Sequence, residues 1–327
     1  MQDISEEIMD RMKKIIGSIG FFLGLFVLLL IISVNIEPSE EVYNINGVEE
    51  KINYFSKLPE NTIDVIIIGD SESYSAFNPL QLWKEQGITS YVCGTHAQRL
   101  CDTYSILKAS METQSPELIV LETNCLFRNA GAEQEIADQA LYEISQYLAV
   151  FKYHNSWKQV FSIIDILGQK KLERQHLRKG FMLRTEVVPY IGGEWMKESD
   201  DRKKFGERVE EYLEKIYELC KENDVELVLV TSPAPDNWTY SKHNSVNDWA
   251  AQKGLTYLDM NLCHEEISID WTKDTRDAGD HLNYAGAKKL TRYFGKFLKE
   301  NYTLIDHRKD EVYSSWNEHL EQCGMEL

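Results

Sequence analysis

Ser71 and His281 are the residues whose type and setting could do nucleophilic chemistry. A serine hydroxyl attacks an acyl carbon only when a base takes its proton, and that base is most often a histidine steadied by a carboxylate. Ser71 closes the tripeptide Gly69-Asp70-Ser71, directly after the apolar run Ile63-Asp64-Val65-Ile66-Ile67-Ile68. A serine on the turn from a strand to a helix has an exposed hydroxyl and an N–H aimed where an oxyanion would form. An ordinary helix N-cap is the plainer alternative. Ser73 and Ser75 fall inside the following turn and are weaker candidates.

Of eight histidines, His281 stands out. It lies in Asp277-Ala278-Gly279-Asp280-His281-Leu282-Asn283, just before the last amphipathic stretch, with two carboxylates to hold its ring. Asp277 is preferred to Asp280, because in extended backbone a residue adjacent in sequence points away from its neighbour's side chain. The alternative is a solvated acidic loop in which His281 caps the helix. Asp274, Asp277 and Asp280 recur every three residues but lack the glycine and terminal glutamate of a calcium loop. The six cysteines show no C-x-x-C spacing; their even count permits disulfides outside the cytoplasm, and buried free thiols are the plainer reading. No metal and no cofactor is expected.

These residues need a scaffold. Short apolar runs at Ile63 to Ile68, Ser90 to Cys93, Leu118 to Leu121, Val225 to Val230 and Thr256 to Leu258 alternate with helical patterns, of which Phe205 to Cys220 and Tyr284 to Leu298 are clearest. Strands alternating with helices predict an α/β fold, its parallel sheet covered on both faces. Between about 128 and 204 the pattern is helical or irregular and reads as an insertion or lid. The Pro233-Ala234-Pro235 loop, with Trp238 and His243, reads either as a pocket rim or, equally well, as a simple proline-stiffened loop. With 35 Lys+Arg against 53 Asp+Glu the net charge is -18, which would repel nucleic-acid phosphates.

Residues 15–34, IIGSIGFFLGLFVLLLIISV, carry no charge, and a helix of about 20 residues spans a bilayer core. Arg11, Lys13 and Lys14 precede this run, whereas Glu37, Glu40, Glu41, Glu49 and Glu50 follow it. The positive-inside rule then predicts a single-pass anchor with 1–14 cytoplasmic and the C-terminal domain extracytoplasmic, at the cell membrane. The run is longer than a signal-peptide core, and no small-x-small cleavage site follows. The expected organisation continues with a juxtamembrane linker at 35–61, the α/β domain at 62–300 and a tail at 301–327.

Gly69-Asp70-Ser71 after the first strand, Gly94 after the second, Asn124 after the third and a C-terminal aspartate–histidine loop resemble the four blocks of the SGNH (GDSL-like) hydrolase superfamily, in order. The resemblance spans about 62–298. It implies a three-layer sandwich with a flavodoxin-like sheet, Ser71 as nucleophile, His281 as base, an aspartate orienting it, and an oxyanion hole from the N–H groups of Ser71 and Gly94 with the Asn124 amide. Two departures stand out. Ala278 occupies the place three before the histidine where the superfamily has its aspartate, and Glu122-Thr123-Asn124-Cys125 keeps only the asparagine of the third block. With its anchor the chain is similar to extracytoplasmic SGNH-like proteins of cell-wall polymer acylation in Gram-positive bacteria. That likeness implies an esterase or O-acyltransferase acting on acylated cell-surface polymers, partnered by a multi-pass membrane acyltransferase. The rival expectation is a non-catalytic anchored adaptor for such a partner.

Overall fold

The apolar runs form five parallel strands in the computed structural model, which describes residues 2–35, 47–128, 144 and 176–324. They are β1 (Val65–Ile68), β2 (Ser90–Val92), β3 (Leu118–Glu122), β4 (Glu226–Thr231) and β5 (Thr256–Asp259). The spatial order is β2-β1-β3-β4-β5, with Ile67 of β1 opposite both Val92 and Val120. This is a doubly wound sheet whose order reverses between β1 and β3, the place where such folds bind ligands.

Alternate side chains of each strand leave the sheet on opposite faces. Ile66, Ile68, Ile119, Leu121, Leu227 and Leu229 enter one apolar core; Val65, Ile67, Leu118, Val120, Val228 and Val230 enter the other. Near-continuous apolar strands are the consequence of burial on both faces. Helices α2 (Val48–Phe55), α3 (Ser71–Ala76), α4 (Pro79–Gln86), α5 (Leu100–Ser110), α6 (Glu207–Glu222), α7 (Tyr240–Lys253), α8 (Tyr284–Asn301) and α9 (Ser314–Gln322) cover them. In α8 the buried stripe Ala287, Leu290, Phe294 and Leu298 has helical spacing and seats the helix on the second core.

The chain forms two compact units, 1–44 with 130–166 and 45–129 with 167–327. In the first unit α1 (Gln2–Asn35) includes a 23-residue stretch, Arg11–Ser33, long and apolar enough to cross a membrane. Ile16, Phe21 and Phe22 on it are 63 to 67% exposed. The second unit holds the sheet.

Much of the expected insertion, 129–143 and 145–175, lies outside the described residues, as do 36–46 of the expected linker. Where the segment is described, 181–206 runs without helix or strand, the irregular form of the two expected. This strap is tied down by backbone bonds, with Met182 donating to Tyr74, Val188 to Thr275, Tyr190 to Trp271 and Lys203 to Ser241. Its apolar side chains reach the cores singly, Met182 on one and Trp195, Met196 and Phe205 on the other, at no helical spacing.

Candidate active site

Three loops at the carboxyl ends of β2, β1 and β3 lie side by side. Continuing the register of Ile67 by two residues puts Gly94 and Glu122 beside Gly69. The fit is tight: a Cβ on Gly94 would sit 2.1 Å from Ser73 Oγ and 2.7 Å from the Asp70 carbonyl, and one on Gly69 would sit 2.8 Å from Glu122 Cβ. Only glycine lets these backbones approach so closely.

Asp70 caps α3, its Oδ1 accepting from Glu72 N at 3.1 Å. Ser71 therefore opens the helix, 2% exposed. Ser73 Oγ donates to the Asp70 carbonyl and Ser75 Oγ to the Ser71 carbonyl, so both hydroxyls are spent on the turn.

The loop before α8 brings the histidine. An isolated bridge between Thr275 and Leu282 closes it, and Asn283 anchors it by capping Ala285 and Gly286 with Oδ1 while donating to the Lys273 carbonyl at 2.6 Å. At the loop's tip Ala278 and Gly279 take φ of 61° and 99°. A left-handed alanine costs about 1–2 kcal/mol, and Ala278 N donates to Val188 of the strap in return. These two residues bend the chain so that Asp277 faces His281.

The resulting constellation is linear. Ser71 Oγ lies 2.8 Å from His281 Nε2, and His281 Nδ1 lies 2.7 Å from Asp277 Oδ2. Asp277 Oδ1 also accepts from the His281 backbone N–H at 2.6 Å, fixing ring and backbone together. Asp280 Oδ2 stands 3.1 Å from the same Nδ1, while its Oδ1 accepts from Asn237. Asp277 holds the ring; Asp280 flanks it. Asn124 is 7% exposed, donates its N–H to Glu122 Oε2 at 3.0 Å, and makes no side-chain hydrogen bond to another described residue. Gly94 borders the Ser71 turn, whereas Asn124 stands two residues past Glu122, which abuts Gly69.

Sequence reasoning missed the acids beneath. Glu72 and Glu122 are fully buried, and Ser232 joins them, its N–H and Oγ each 3.2 Å from Glu122 Oε1 and its Oγ 3.5 Å from Glu72 Oε2. Asp70 Oδ2 pairs with Arg128 Nε at 2.5 Å. Burial pushes the Glu72 carboxyl up to about 8, His281 opposing and Asp70, Asp280 and Asp277 adding to the rise. Glu122 rises well above the carboxylate range from burial, with Asp70 and Glu72 adding to it. Burial alone would lower His281, but Glu72, Asp277 and Asp280 outweigh it and lift the imidazole to about 10. Asp277 is itself lowered: burial raises it, and its two bonds from His281 outweigh that. The only sequence signal for Glu122 was an acid ending a wholly apolar strand.

Glu72, Asp280 and His281 each place a donor atom within 4.8 Å of the others. His281 Nε2 is already engaged by Ser71 and Asp280 by Asn237, which leaves Glu72 the member with an unbonded oxygen. Of the residues expected beside the Pro233-Ala234-Pro235 loop, Trp238 and His243 turn inward: Trp238 is 1% exposed and donates Nε1 to Asp259 Oδ2, which also meets His243 Nδ1 at 2.9 Å. The His243 and Asp259 pair fastens α7 to β5, while the loop itself meets the His281 loop through Asp236 N donating to the Gly279 carbonyl. The six cysteines are free thiols, Cys93, Cys125 and Cys220 buried. Hollows of about 360 and 510 Å³ open at the amino ends of β3 to β5, away from Ser71.

No family model and no curated protein matches this chain. Among solved structures it is similar to a GDSL-like lipase from Bacteroides thetaiotaomicron VPI-5482, at 10% identity and a TM-score of 0.42, covering 79% of this chain and 99% of that one. A provisionally named acylhydrolase from Bacteroides fragilis NCTC 9343 matches at 12% identity and a TM-score of 0.41, covering 79% and 98%. A provisionally named platelet activating factor from Streptococcus pneumonia matches at 12% and 0.39, covering 85% and 99%. Likeness at this level says nothing of activity.

Proposed function

We propose that the chain is an SGNH-type serine esterase or O-acyltransferase, anchored in the cell membrane by α1 and acting on acyl esters of cell-envelope polymers. One observation carries the reading: a serine hydroxyl, both imidazole nitrogens and a carboxylate in line at 2.8 and 2.7 Å. In this reading His281 Nε2 takes the Ser71 proton as Oγ attacks the ester carbonyl. The oxyanion is met by the N–H groups of Ser71 and Gly94 and by the Asn124 amide, donors that strengthen as charge develops. Collapse breaks the C–O bond, the leaving alcohol takes the proton from His281, and an acyl group remains on Ser71. Water or a sugar hydroxyl, deprotonated by His281, then attacks the acyl-enzyme and restores Ser71. Asp277 keeps the ring in the required tautomer and supports the imidazolium.

The polymer substrate and a multi-pass membrane partner rest on the anchor and on the sequence resemblance. A burst assay tests the enzymatic reading: the purified full chain in detergent, given a p-nitrophenyl ester, releases one equivalent of nitrophenol rapidly, and Ser71→Ala releases none. Addition of a glycan acceptor separates transfer from hydrolysis by where the acyl group appears. An inert wild type would favour the anchored adaptor.

A further inference from the structure

The same nitrogen of His281 that faces Ser71 also faces a second group. Glu72 Oε1 lies 3.8 Å from His281 Nε2, on a side chain 1% exposed, and that oxygen has no hydrogen-bond partner. The other oxygen receives one long contact, from Ser232 Oγ at 3.5 Å. Glu122, by contrast, is served by the Asn124 N–H, the Ser232 N–H and the Ser232 hydroxyl.

The charges facing Glu72 come from every element around it. Asp70 precedes it on the β1 turn, Glu122 approaches from β3, and Asp277 and Asp280 approach from the loop before α8. Among the described residues the cations acting on this cluster are His281 itself, Arg128 already paired with Asp70, Arg276 paired with Asp277 and opposing the rise of His281, and Lys242 facing Glu122 and Asp70. Tyr74 of α3 also faces Glu72. A Glu72 anion in this setting has one neutralising neighbour, the imidazolium of His281.

Resting on the assignment of Ser71 and His281 above, we propose that Glu72 is a positioning residue that decides where one shared proton resides: on Glu72 the pair is competent, on His281 it is trapped. With the proton on the Glu72 carboxyl, the Nε2 lone pair is free to accept the Ser71 proton. With it on Nε2, the imidazolium is locked between two oxygens and cannot act as a base. Attack itself leaves Glu72 unchanged: the Ser71 O–H bond breaks and the His281 Nε2–H bond forms. Glu72 acts through His281 and touches no substrate atom. The upward push that an ionised Glu72 exerts on His281 is absent once that carboxyl is neutral, consistent with the raised affinity of the buried acid for its proton.

Glu72→Gln makes the neutral form permanent. The rate at which a fluorophosphonate labels Ser71 in the full chain, measured against pH, is expected to keep its sigmoid but with the acid limb moved down by about one unit, a tenfold faster labelling on that limb. An acid limb at the wild-type pH overturns the proposal. Glu72→Met, of similar length and with nothing to ionise, gives the same reading should the amide disturb folding. Titration of the His281 ring by NMR in either variant is independent of reactivity: a fall in its pKa is expected, and an unchanged value overturns the role of Glu72. Wild-type labelling that does not depend on Ser71 would instead sink the nucleophile assignment, leaving the His281 titration to decide on Glu72 alone.

Discussion

Asp277 meets His281 twice, through Oδ1 to its backbone N–H at 2.6 Å and through Oδ2 to its ring Nδ1 at 2.7 Å, although the two stand four positions apart. The left-handed pair Ala278 and Gly279 makes this possible by turning the chain back on itself between the two. Gly279 N donates to Thr275 Oγ1 at 2.8 Å, closing the turn from inside. The carboxylate thereby sets both the position of the histidine and the tautomer of its ring.

The two flanking aspartates should therefore not be equivalent. Asp277→Asn is expected to lower kcat by about 10³ to 10⁴, the scale seen when a triad carboxylate loses its charge. Asp280→Asn, which leaves the 2.7 Å bond in place, should keep most of its rate. Steady-state kinetics on an ester substrate compare them, and a larger loss in Asp280→Asn would reverse the roles.

Asn124 carries a separate expectation. As an oxyanion donor its loss in Asn124→Ala should cut kcat by about 10² to 10³ with little change in KM. A change confined to KM would place the amide on the substrate rather than on the transition state.

Gly94→Ala tests the close approach of the β2 loop. Its Cβ would fall 2.1 Å from Ser73 Oγ and 2.7 Å from a backbone carbonyl, so the Ser71 turn must shift. The variant is expected to lose about 1–3 kcal/mol in denaturant unfolding. Adding Ser73→Ala should recover only part, since the carbonyl contact stays; full recovery would show that the hydroxyl alone sets the limit.

Stability against pH follows from the same groups. On folding Glu72 moves from 4.5 to about 8, and His281 moves from 6.5 to about 10 while Glu72 is ionised, so the two rises overlap rather than add. Both are raised, so the folded state binds more protons than the unfolded chain, and their contribution is complete at low pH and lost as pH rises through those values. Relative to wild type, Glu72→Gln should lose less stability between about pH 5 and about pH 9, read as urea midpoints. Parallel curves would mean Glu72 ionises as freely in the folded protein as in the unfolded one.

Much of the scaffold was legible in the sequence because burial on both sheet faces writes strands as unbroken apolar runs, as in Val65 to Ile68 and Leu118 to Leu121. The stripes of α6 and α8 were legible for the matching reason. Ser71 and His281 could be singled out because each sits where a regular pattern stops. Glu72 and Glu122 could not, since an acid near a strand end reads as solvated unless the pairing that buries it is known. Trp238 and His243 looked like loop residues because their shared partner, Asp259, is distant in sequence and brought near only by β5. The strap at 181–206 has no period to read, its shape being set by backbone bonds to the helices and loops it crosses.

The most direct measurement is peptide mapping of the full chain after reaction with a fluorophosphonate. One phosphonyl group on Ser71, absent in His281→Ala, is the predicted result. A modification at another residue, or labelling of Ser71 that persists undiminished without His281, would contradict the account.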